Sequence, residues 1–266
     1  MRLAIQEALL PGRTARQRLE HAQRAGLAGV EVLAEGLTAR VPEVAEALAE
    51  TGLAAAAVNL GRADGYLSPD MAERERAVGR LRQAMADAVD LGAGHVVFVP
   101  HFGPPRMPDL RPYRAPVELD AEMMVWLLRT VSDLAYALGV ELNILPVNRY
   151  ETYFINRLEQ AAAFRRKVKD HAHIKLAANL FHMALEEHSP AAALREYAPH
   201  LGYVQLADTN NRLPGEGLAD FAAAAAALRD AGYDGWLTLA AGTLEPAQVM
   251  AGLPACLETL RQAGLP

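Results

Sequence analysis

Residues 139–154 read GVELNILPVNRYETYF, a short apolar run that ends at a proline and continues into a polar segment. The apolar part is rich in Val, Leu and Ile and has the length of a buried strand. Proline has no backbone N–H to give to a neighbouring strand, so Pro146 marks the end of this one. The polar residues after it are therefore expected in a loop at the carboxyl end of a strand.

Similar apolar runs recur along the chain, with amphipathic segments between them. The runs read RLAIQ, AGVEVL, LAAAAVNL, HVVFVP, VELNIL, HIKLAA, YVQLA and GWLTLA. Apolar residues at helical spacing mark the intervening segments 14–25, 39–50, 70–91, 118–138 and 155–170. Eight strands that alternate with helices predict a parallel sheet closed into a (β/α)8 TIM barrel, an α/β fold that residues 1–266 form as a single domain.

Glycines stand just before several of the predicted strands, where helices should end. These positions favour a left-handed backbone, which glycine adopts without a steric penalty. They are Gly26, Gly52, Gly92, Gly139 and Gly232.

The composition predicts a soluble, cytoplasmic protein. The chain has 266 residues and is 52% hydrophobic, which is enough for one large core. No apolar stretch approaches the roughly 20 residues that span a membrane, and the amino terminus lacks a signal-peptide pattern. Cys256 is the single cysteine, so an internal disulfide is excluded. The net charge is -6 without a basic stripe, so we expect neither a nucleic acid nor a membrane as partner.

Four segments resemble the sugar phosphate isomerase/epimerase family of xylose isomerase-like TIM barrels. Besides PVNRYETYF at 146–154, they are HIKLAANLFHMALEEH at 173–188, YVQLADTNNRLPGEGLADF at 203–221 and GYDGWLTLAAG at 232–242. The family includes tagatose and psicose 3-epimerases and hydroxypyruvate isomerase. The resemblance implies a barrel for small sugars, with a divalent metal bound at the ends of the fifth to eighth strands.

The family's metal ligands are two glutamates, an aspartate and a histidine, and this chain departs from that set throughout. The four positions fall on Leu145, Asn179, Gln205 and Ala240. Gln205 alone would not exclude a metal, since hydroxypyruvate isomerases of the family resemble this chain in having glutamine there. Manganese, magnesium or cobalt is held by hard anionic oxygens, however, and Leu145 and Ala240 offer no donor atom. We therefore expect no metal and no other cofactor.

The loops that follow the strands build the active site of a TIM barrel, so residues at strand ends are the first functional candidates. Glu7 ends the first strand. We predict that a sugar-like ligand contacts Glu31, Asn59, His101, Arg149, Glu151, Asn179, His182, Gln205 and Arg212. His182 falls on the family's substrate-binding histidine, whereas the family's substrate-binding arginine falls on Asn211, one position before Arg212.

Three polar residues are candidates for catalysis: His182, Lys175 and Glu151. His182 suits a pocket better than a buried structural role, but a general base also needs a partner that stabilises the charge it gains. Three interactions are open to the Glu151 side chain: contact with sugar hydroxyls, contact with Arg149, and an exposed salt bridge within the loops. His101 either faces the pocket or belongs to a turn-rich loop, PHFGPP, shaped by its prolines.

Lys175 lies four residues before Asn179, as Glu141 lies four before Leu145, so both charged side chains point into the barrel. An isolated charge in the interior is very costly. We therefore expect Lys175 and Glu141 to form a structural ion pair, with a catalytic lysine as the alternative.

Two classes of function follow. The favoured one is a pseudoenzyme that binds a small sugar or polyol-like ligand without ordinary metal-dependent isomerisation. The alternatives are an active isomerase, epimerase or lyase for a small sugar or keto acid with a metal-independent mechanism, and a non-catalytic partner subunit of an active homologue. Because barrels of this family often assemble, the chain is also a candidate homodimer or homotetramer.

Overall fold

The computed structural model describes residues 1–242 and 244–266 and has eight parallel strands in a closed barrel. The strands pair in chain order, and the last pairs with the first. They are β1 Arg2–Gln6, β2 Gly29–Leu33, β3 Ala54–Asn59, β4 His95–Phe98, β5 Glu141–Ile144, β6 Ile174–Asn179, β7 Leu201–Leu206 and β8 Trp236–Leu239. The predicted (β/α)8 TIM barrel is confirmed.

Helices connect the strands and form the outer layer. They are α1 Ala15–Arg24, α2 Leu37–Thr51, α3 Met71–Asp90, α4 Pro116–Leu138, α5 Leu158–Lys167, α6 Leu180–Glu186, α7 Pro190–Tyr197, α8 Phe221–Asp230 and α9 Pro246–Gln262. Two short 3-10 turns, Glu7–Leu9 and Ala198–His200, follow β1 and precede β7. Within the described residues, no helix has both the length and the apolar composition needed to cross a membrane.

Local signals in the sequence set the helix boundaries. Five helices begin where a side-chain oxygen accepts a backbone N–H of the first turn, at Thr14, Asp70, Asn179, Ser189 and Asp220. The five glycines predicted to end helices all have positive φ, from 68° to 76°. The predicted helix ends are therefore confirmed.

Side chains alternate along each strand, and every second one fills the inside of the barrel. Gly29 leaves room there for a large ring, because a Cβ on Gly29 would lie 2.9 Å from the Trp236 side chain. The interior is mainly apolar and includes Ala4, Ala56, Ala57, Val97, Ala177, Tyr203 and Trp236. The barrel is thus a packed core, and a functional site is expected at the carboxyl ends of its strands, a region that we call the mouth.

Candidate functional site

A buried carboxylate, Glu31 at 1% exposure, is the centre of a polar cluster at the mouth. Its oxygens accept hydrogen bonds from Gln6 Nε2 at 2.7 Å, Asn59 Nδ2 at 2.7 Å and Gln205 Nε2 at 2.9 Å. The N–H of Gly61 donates to Asn59 Oδ1 at 2.8 Å, so the NH2 group of Asn59 must face the carboxylate. Amide N–H groups from β1, β3 and β7 therefore converge on one acidic side chain of β2.

Backbone geometry also fixes the direction of a longer series of hydrogen bonds. At the start of α6, the N–H of Phe181 donates to Asn179 Oδ1 at 3.0 Å. Asn179 Nδ2 is then the group that donates to Gln205 Oε1, at 2.9 Å, which leaves Gln205 Nε2 to donate to Glu31. We call this series, from Phe181 N–H through Asn179 and Gln205 to Glu31, the amide chain. Every link in it points an N–H group towards the carboxylate.

The part of the mouth between β3 and β6 is apolar. Side chains at the ends of β4 and β5 form one buried cluster there, with Phe102 packed against it: Val97, Val99, Leu145 and Val147. Ala240, directly after β8, is buried as well. The mouth therefore has an amide and carboxylate wall and a wall of aliphatic side chains, which we call the apolar wall.

The four positions that the family resemblance assigns to metal ligands lie at the ends of the neighbouring strands β5 to β8. Leu145 and Ala240 contribute only carbon atoms. The side-chain oxygens of Asn179 and Gln205 already accept hydrogen bonds from within the chain. Among residues 1–242 and 244–266, no three His, Cys, Asp or Glu side chains are grouped so that they could hold a metal ion. The four positions thus form an amide pair between two apolar residues.

His182 is partly buried in the first turn of α6, and its Nδ1 faces Asn148. The backbone N–H and the Nδ2 of Asn148 lie 3.2 Å and 2.9 Å from Nδ1. Because a backbone N–H can only donate, Nδ1 is the acceptor and the proton of the neutral ring lies on Nε2. Burial lowers the pKa of His182 to about 4, although the charges of Glu151 and Glu186 oppose this. The ring is therefore a neutral N–H donor at pH 7.

Glu151 and Arg149 pair with other residues and not with each other. Arg149 contacts Glu186 through two parallel hydrogen bonds, both 2.9 Å. Glu151 pairs with Arg62 of the loop after β3 at 2.5 Å, and the Arg62 guanidinium lies 4.6 Å from the centre of the Phe102 ring. Of the alternatives for Glu151, the salt bridge between loops is the one observed, and Arg149 is not its partner. Both carboxylates are engaged by arginines.

His101 belongs to the structure of its loop. It is buried, and its Nε2 lies 2.9 Å from the carbonyl oxygen of Pro104, so Nε2 carries a proton. Asp64 lies 3.7 Å from Nδ1, and Tyr153 packs edge-on against the ring. Tyr153 in turn donates to Asp120, a fully buried residue whose pKa is raised by burial against the effect of that hydrogen bond. The sequence carries no local signal for Asp120, because Asp120 lies in α4 and its partner Tyr153 comes from the loop after β5.

The loop after β7 is organised around Asp208. Its carboxylate accepts backbone N–H groups of Thr209 at 2.7 Å, Gly215 at 2.9 Å and Ala219 at 2.9 Å. Arg212 forms an ion pair with Glu216 of the same loop. The charge predicted to bind a ligand at Arg212 is therefore already paired within this loop.

Lys175 and Glu141 lie at the amino-terminal end of the barrel. Lys175 precedes Asn179 by four residues, or about 13 Å of strand, so it is remote from the mouth. Glu141 lies 3.3 Å from His95 Nδ1, and the described residues contain no ion pair between Glu141 and Lys175. Burial works against ionisation of Glu141, but His95 and then Lys175 outweigh it, and the pKa of Glu141 is lowered. The predicted ion pair is wrong because His95, on the adjacent strand β4, is the closer partner.

β1 ends at Gln6, one residue before the predicted Glu7. Glu7 faces outward and pairs with Arg18 at 2.8 Å and Arg40 at 2.6 Å. Gln6 is the side chain that reaches Glu31. Counting the alternation from Ala4, which lies inside the barrel, identifies Gln6 as the inward-facing residue.

Comparison with known proteins agrees with this architecture. The profile of the xylose isomerase-like TIM barrel family matches residues 19–259. A 3-dehydro-D-guloside 4-epimerase of Escherichia coli K12 is 28% identical over 227 residues, which cover 83% of this chain and 84% of the relative. A putative hydroxypyruvate isomerase of Mus musculus is 30% identical over 237 residues, 83% of this chain and 81% of the relative. The crystal structure of a 3-keto-D-glucoside 4-epimerase from E. coli superposes with a TM-score of 0.86 at 25% identity and covers 97% of this chain and 99% of that one. The chain belongs to the xylose isomerase-like TIM barrel family.

Proposed function

We propose that the mouth binds a small, uncharged sugar or polyol-like ligand without a divalent metal, and that the protein does not carry out ordinary metal-dependent isomerisation. The observation that carries the proposal is the amide chain. It directs N–H groups, and not oxygens, towards the one acidic side chain in the polar cluster, Glu31.

The residues at the family's ligand positions do not fit a divalent cation. Such an ion favours carboxylate and other free oxygen donors. The oxygens of Asn179 and Gln205 are uncharged and already accept hydrogen bonds. Turning Asn179 over to present its oxygen to an ion would leave the Phe181 N–H unpaired, at a cost of about 1–3 kcal/mol. Leu145 and Ala240 supply no donor in compensation.

The two walls of the mouth support a carbohydrate as the ligand. Sugars combine C–H surfaces, which pack on aliphatic side chains, with hydroxyl groups that need directed polar partners. Leu145 and Val147 of the apolar wall suit the first, and the amides together with the Nε2–H of His182 suit the second. The E. coli relative is by name an epimerase of 3-dehydro-D-guloside, which also favours a carbohydrate.

The same side chains are poorly placed to remove a proton from carbon. A general base needs a free lone pair near the substrate. His182 uses its Nδ1 lone pair for Asn148, and Glu151 is paired with Arg62. Lys175 lies at the other end of the barrel. We therefore assign His182 to ligand binding, as a hydrogen-bond donor.

The proposal is tested by metal analysis, ligand binding and proton exchange on one preparation. We expect no stoichiometric manganese, cobalt, zinc or magnesium after gentle purification. Calorimetry with ketohexoses and 3-keto-glucosides should detect binding that EDTA does not change. In D2O, NMR should show no deuterium uptake at the carbon next to the ligand's carbonyl group.

A pair of matched substitutions locates the binding site. Leu145→Glu should abolish binding, because it places a carboxylate in the apolar wall. Leu185→Glu makes the same chemical change at an exposed position of α6 and should bind normally. Stoichiometric metal held by Asn179 and Gln205 would overturn the metal-free site. Deuterium uptake that persists in EDTA would instead identify a metal-independent isomerase or epimerase.

A further inference from the structure

A depression of about 780 Å³ lies on the outer face of α4 and extends to Lys167 of α5. Its lining residues on α4 recur every three or four positions from Glu118 to Thr130, so they form one stripe along the helix. Pockets that hold small molecules commonly have volumes of about 300–1,000 Å³. Because the depression lies on the outer ring of helices, it is separate from the mouth.

The apolar part of the depression is Trp126 together with Ala121 and Val125. Trp126 lies in the middle of α4 and is 43% exposed, so part of its indole ring is open to solvent. Aromatic rings pack against one another in stacked or edge-to-face arrangements. Trp126 therefore offers a contact surface for a flat, apolar group.

The acidic side chains of the depression are already engaged by their neighbours. Glu118 accepts the backbone N–H of Ala115 at 2.7 Å, at the start of α4. Glu122 forms an ion pair with Arg114. These two carboxylates are thus occupied within the helix and the loop before it.

The remaining basic side chains of the depression, Arg129 and Lys167, are both exposed and lack a carboxylate partner. Asp133 follows Arg129 by one helical turn, yet the described part of the chain contains no ion pair between the two. Asp170, close to Lys167 in sequence, pairs with Arg165 at 2.7 Å. Two positive charges without a counter-ion therefore border the exposed indole ring.

We propose that this depression binds a small aromatic anion, whose ring packs on Trp126 and whose phosphate or carboxylate group lies between Arg129 and Lys167. Arg129 follows Trp126 by three residues, so the two side chains are neighbours on the helix surface. An arginine can bind an oxyanion through two parallel N–H groups, and a lysine adds a compact charge. Lys167 is available for this, because its only other contact is with the Phe164 ring, 5.1 Å from Nζ.

Calorimetry with naphthyl phosphate tests the two halves of such a ligand. This probe should bind with a Kd below about 1 mM. Naphthol, which has the ring without the charge, and inorganic phosphate, which has the charge without the ring, should each bind at least about tenfold more weakly. Naphthoate compares a carboxylate with the phosphate on the same ring.

NMR of the indole N–H groups locates the bound probe. The chain has two tryptophans, and Trp236 is buried inside the barrel at 3% exposure. Naphthyl phosphate should therefore shift the Trp126 signal and leave the Trp236 signal in place. Trp126→Phe assigns the two signals, because it removes one of them.

Matched substitutions separate the charge from the ring. Arg129→Gln and Lys167→Gln should each weaken the binding of naphthyl phosphate about fivefold or more and change the binding of naphthol little. Trp126→Ala should weaken the binding of both. Arg82→Gln removes an exposed arginine of α3 and is the control that should bind as the wild type does. Circular dichroism verifies that each variant is folded.

Three results would overturn the proposal. The first is a Trp126 signal that naphthyl phosphate does not shift at millimolar concentration. The second is equal affinity for naphthyl phosphate and naphthol, because the two cations would then have no role. The third is a Trp126 signal that depends on protein concentration without any probe, because a second copy of the chain would then cover this face. None of these results bears on a sugar at the mouth, since the two sites are separate.

Discussion

Replacing Glu31 by glutamine tests the direction of the amide chain. The substitution keeps the size of the side chain but turns one carboxylate oxygen into an NH2 group. The remaining oxygen can still accept from Gln6 and Asn59, whose nitrogens both lie 2.7 Å from Oε1. The new NH2 group then faces the NH2 group of Gln205, which lies 2.9 Å from Oε2 and 3.1 Å from Oε1 in the wild type. Gln205 keeps only the longer of these two hydrogen bonds, and the new NH2 group has no acceptor.

Turning the other amides over does not remove this conflict. If Gln205 turns, its NH2 group meets that of Asn179, which now donates to it at 2.9 Å. If Asn179 turns as well, its NH2 group meets the N–H of Phe181, now 3.0 Å from its oxygen. One donor pair remains wherever the series is broken, because the backbone N–H at its start cannot change direction.

The size of the effect follows from these contacts. Glu31→Gln loses a hydrogen bond to a charged acceptor, about 1.5–3 kcal/mol, and leaves a buried donor unpaired, about 1–3 kcal/mol. We expect the free energy of unfolding to fall by about 3–5 kcal/mol, which corresponds to roughly 10 °C in melting temperature for a chain of this length. Urea unfolding followed by circular dichroism measures the change.

A second substitution should again give each donor in the series an acceptor. In Asn179→Asp, one oxygen still accepts from Phe181 and the other accepts from a turned Gln205, whose oxygen then accepts from the glutamine introduced at position 31. The double variant should be more stable than the sum of the single changes by about 2 kcal/mol or more. A cost below about 1 kcal/mol for Glu31→Gln, or a double variant that is merely additive, would refute the proposed direction of the amide chain.

Three further predictions address the metal positions, His182 and Lys175. Leu145→Glu, Asn179→Asp, Gln205→His and Ala240→Glu, made together, should create micromolar manganese binding. In calorimetry, the melting temperature of the metal-free variant should be lower than that of the wild type and should rise when manganese is added. A folded variant without that rise would contradict the assignment of these positions. The pKa of His182 is lowered from 6.5 to about 4, so the unfolded chain takes up the proton first as the pH falls. Between these two values the free energy of unfolding of the wild type should fall by about 2 kcal/mol, allowing for partial exposure. His182→Gln should flatten that dependence in urea unfolding, and an unchanged slope would argue against it. Lys175→Met should destabilise the protein less than Lys175→Ala, because methionine keeps the volume of the side chain, and a borohydride-trapped adduct of a carbonyl ligand on Lys175 would show a catalytic role instead.

The fold was predictable from the sequence because its signals are local. Each strand is a short apolar run, and each predicted helix has an apolar stripe that its own spacing reveals. Glycines such as Gly52 and Gly139 mark helix ends through a backbone conformation that involves no distant residue. These signals depend only on neighbouring residues in the chain, so they can be recognised without the three-dimensional arrangement.

The side-chain partners at the site were less predictable because they depend on which loops meet. Arg149 and Glu151 are close in sequence, yet each pairs with a residue of another loop, Glu186 and Arg62. Glu31 reads in the sequence as an ordinary strand-end carboxylate. Only the closed barrel brings the amides of β1, β3 and β7 around it.

The amide chain also bears on how a barrel of this kind moves between a metal-bound and a metal-free site by mutation. Asn179→Asp alone sets two acceptors face to face, and Leu145→Glu alone buries a carboxylate against the valines of the apolar wall. Each single step is therefore expected to lower stability before any ion can bind. A change from one state to the other therefore requires either excess stability beforehand or several substitutions at once, because each of these residues depends on the others.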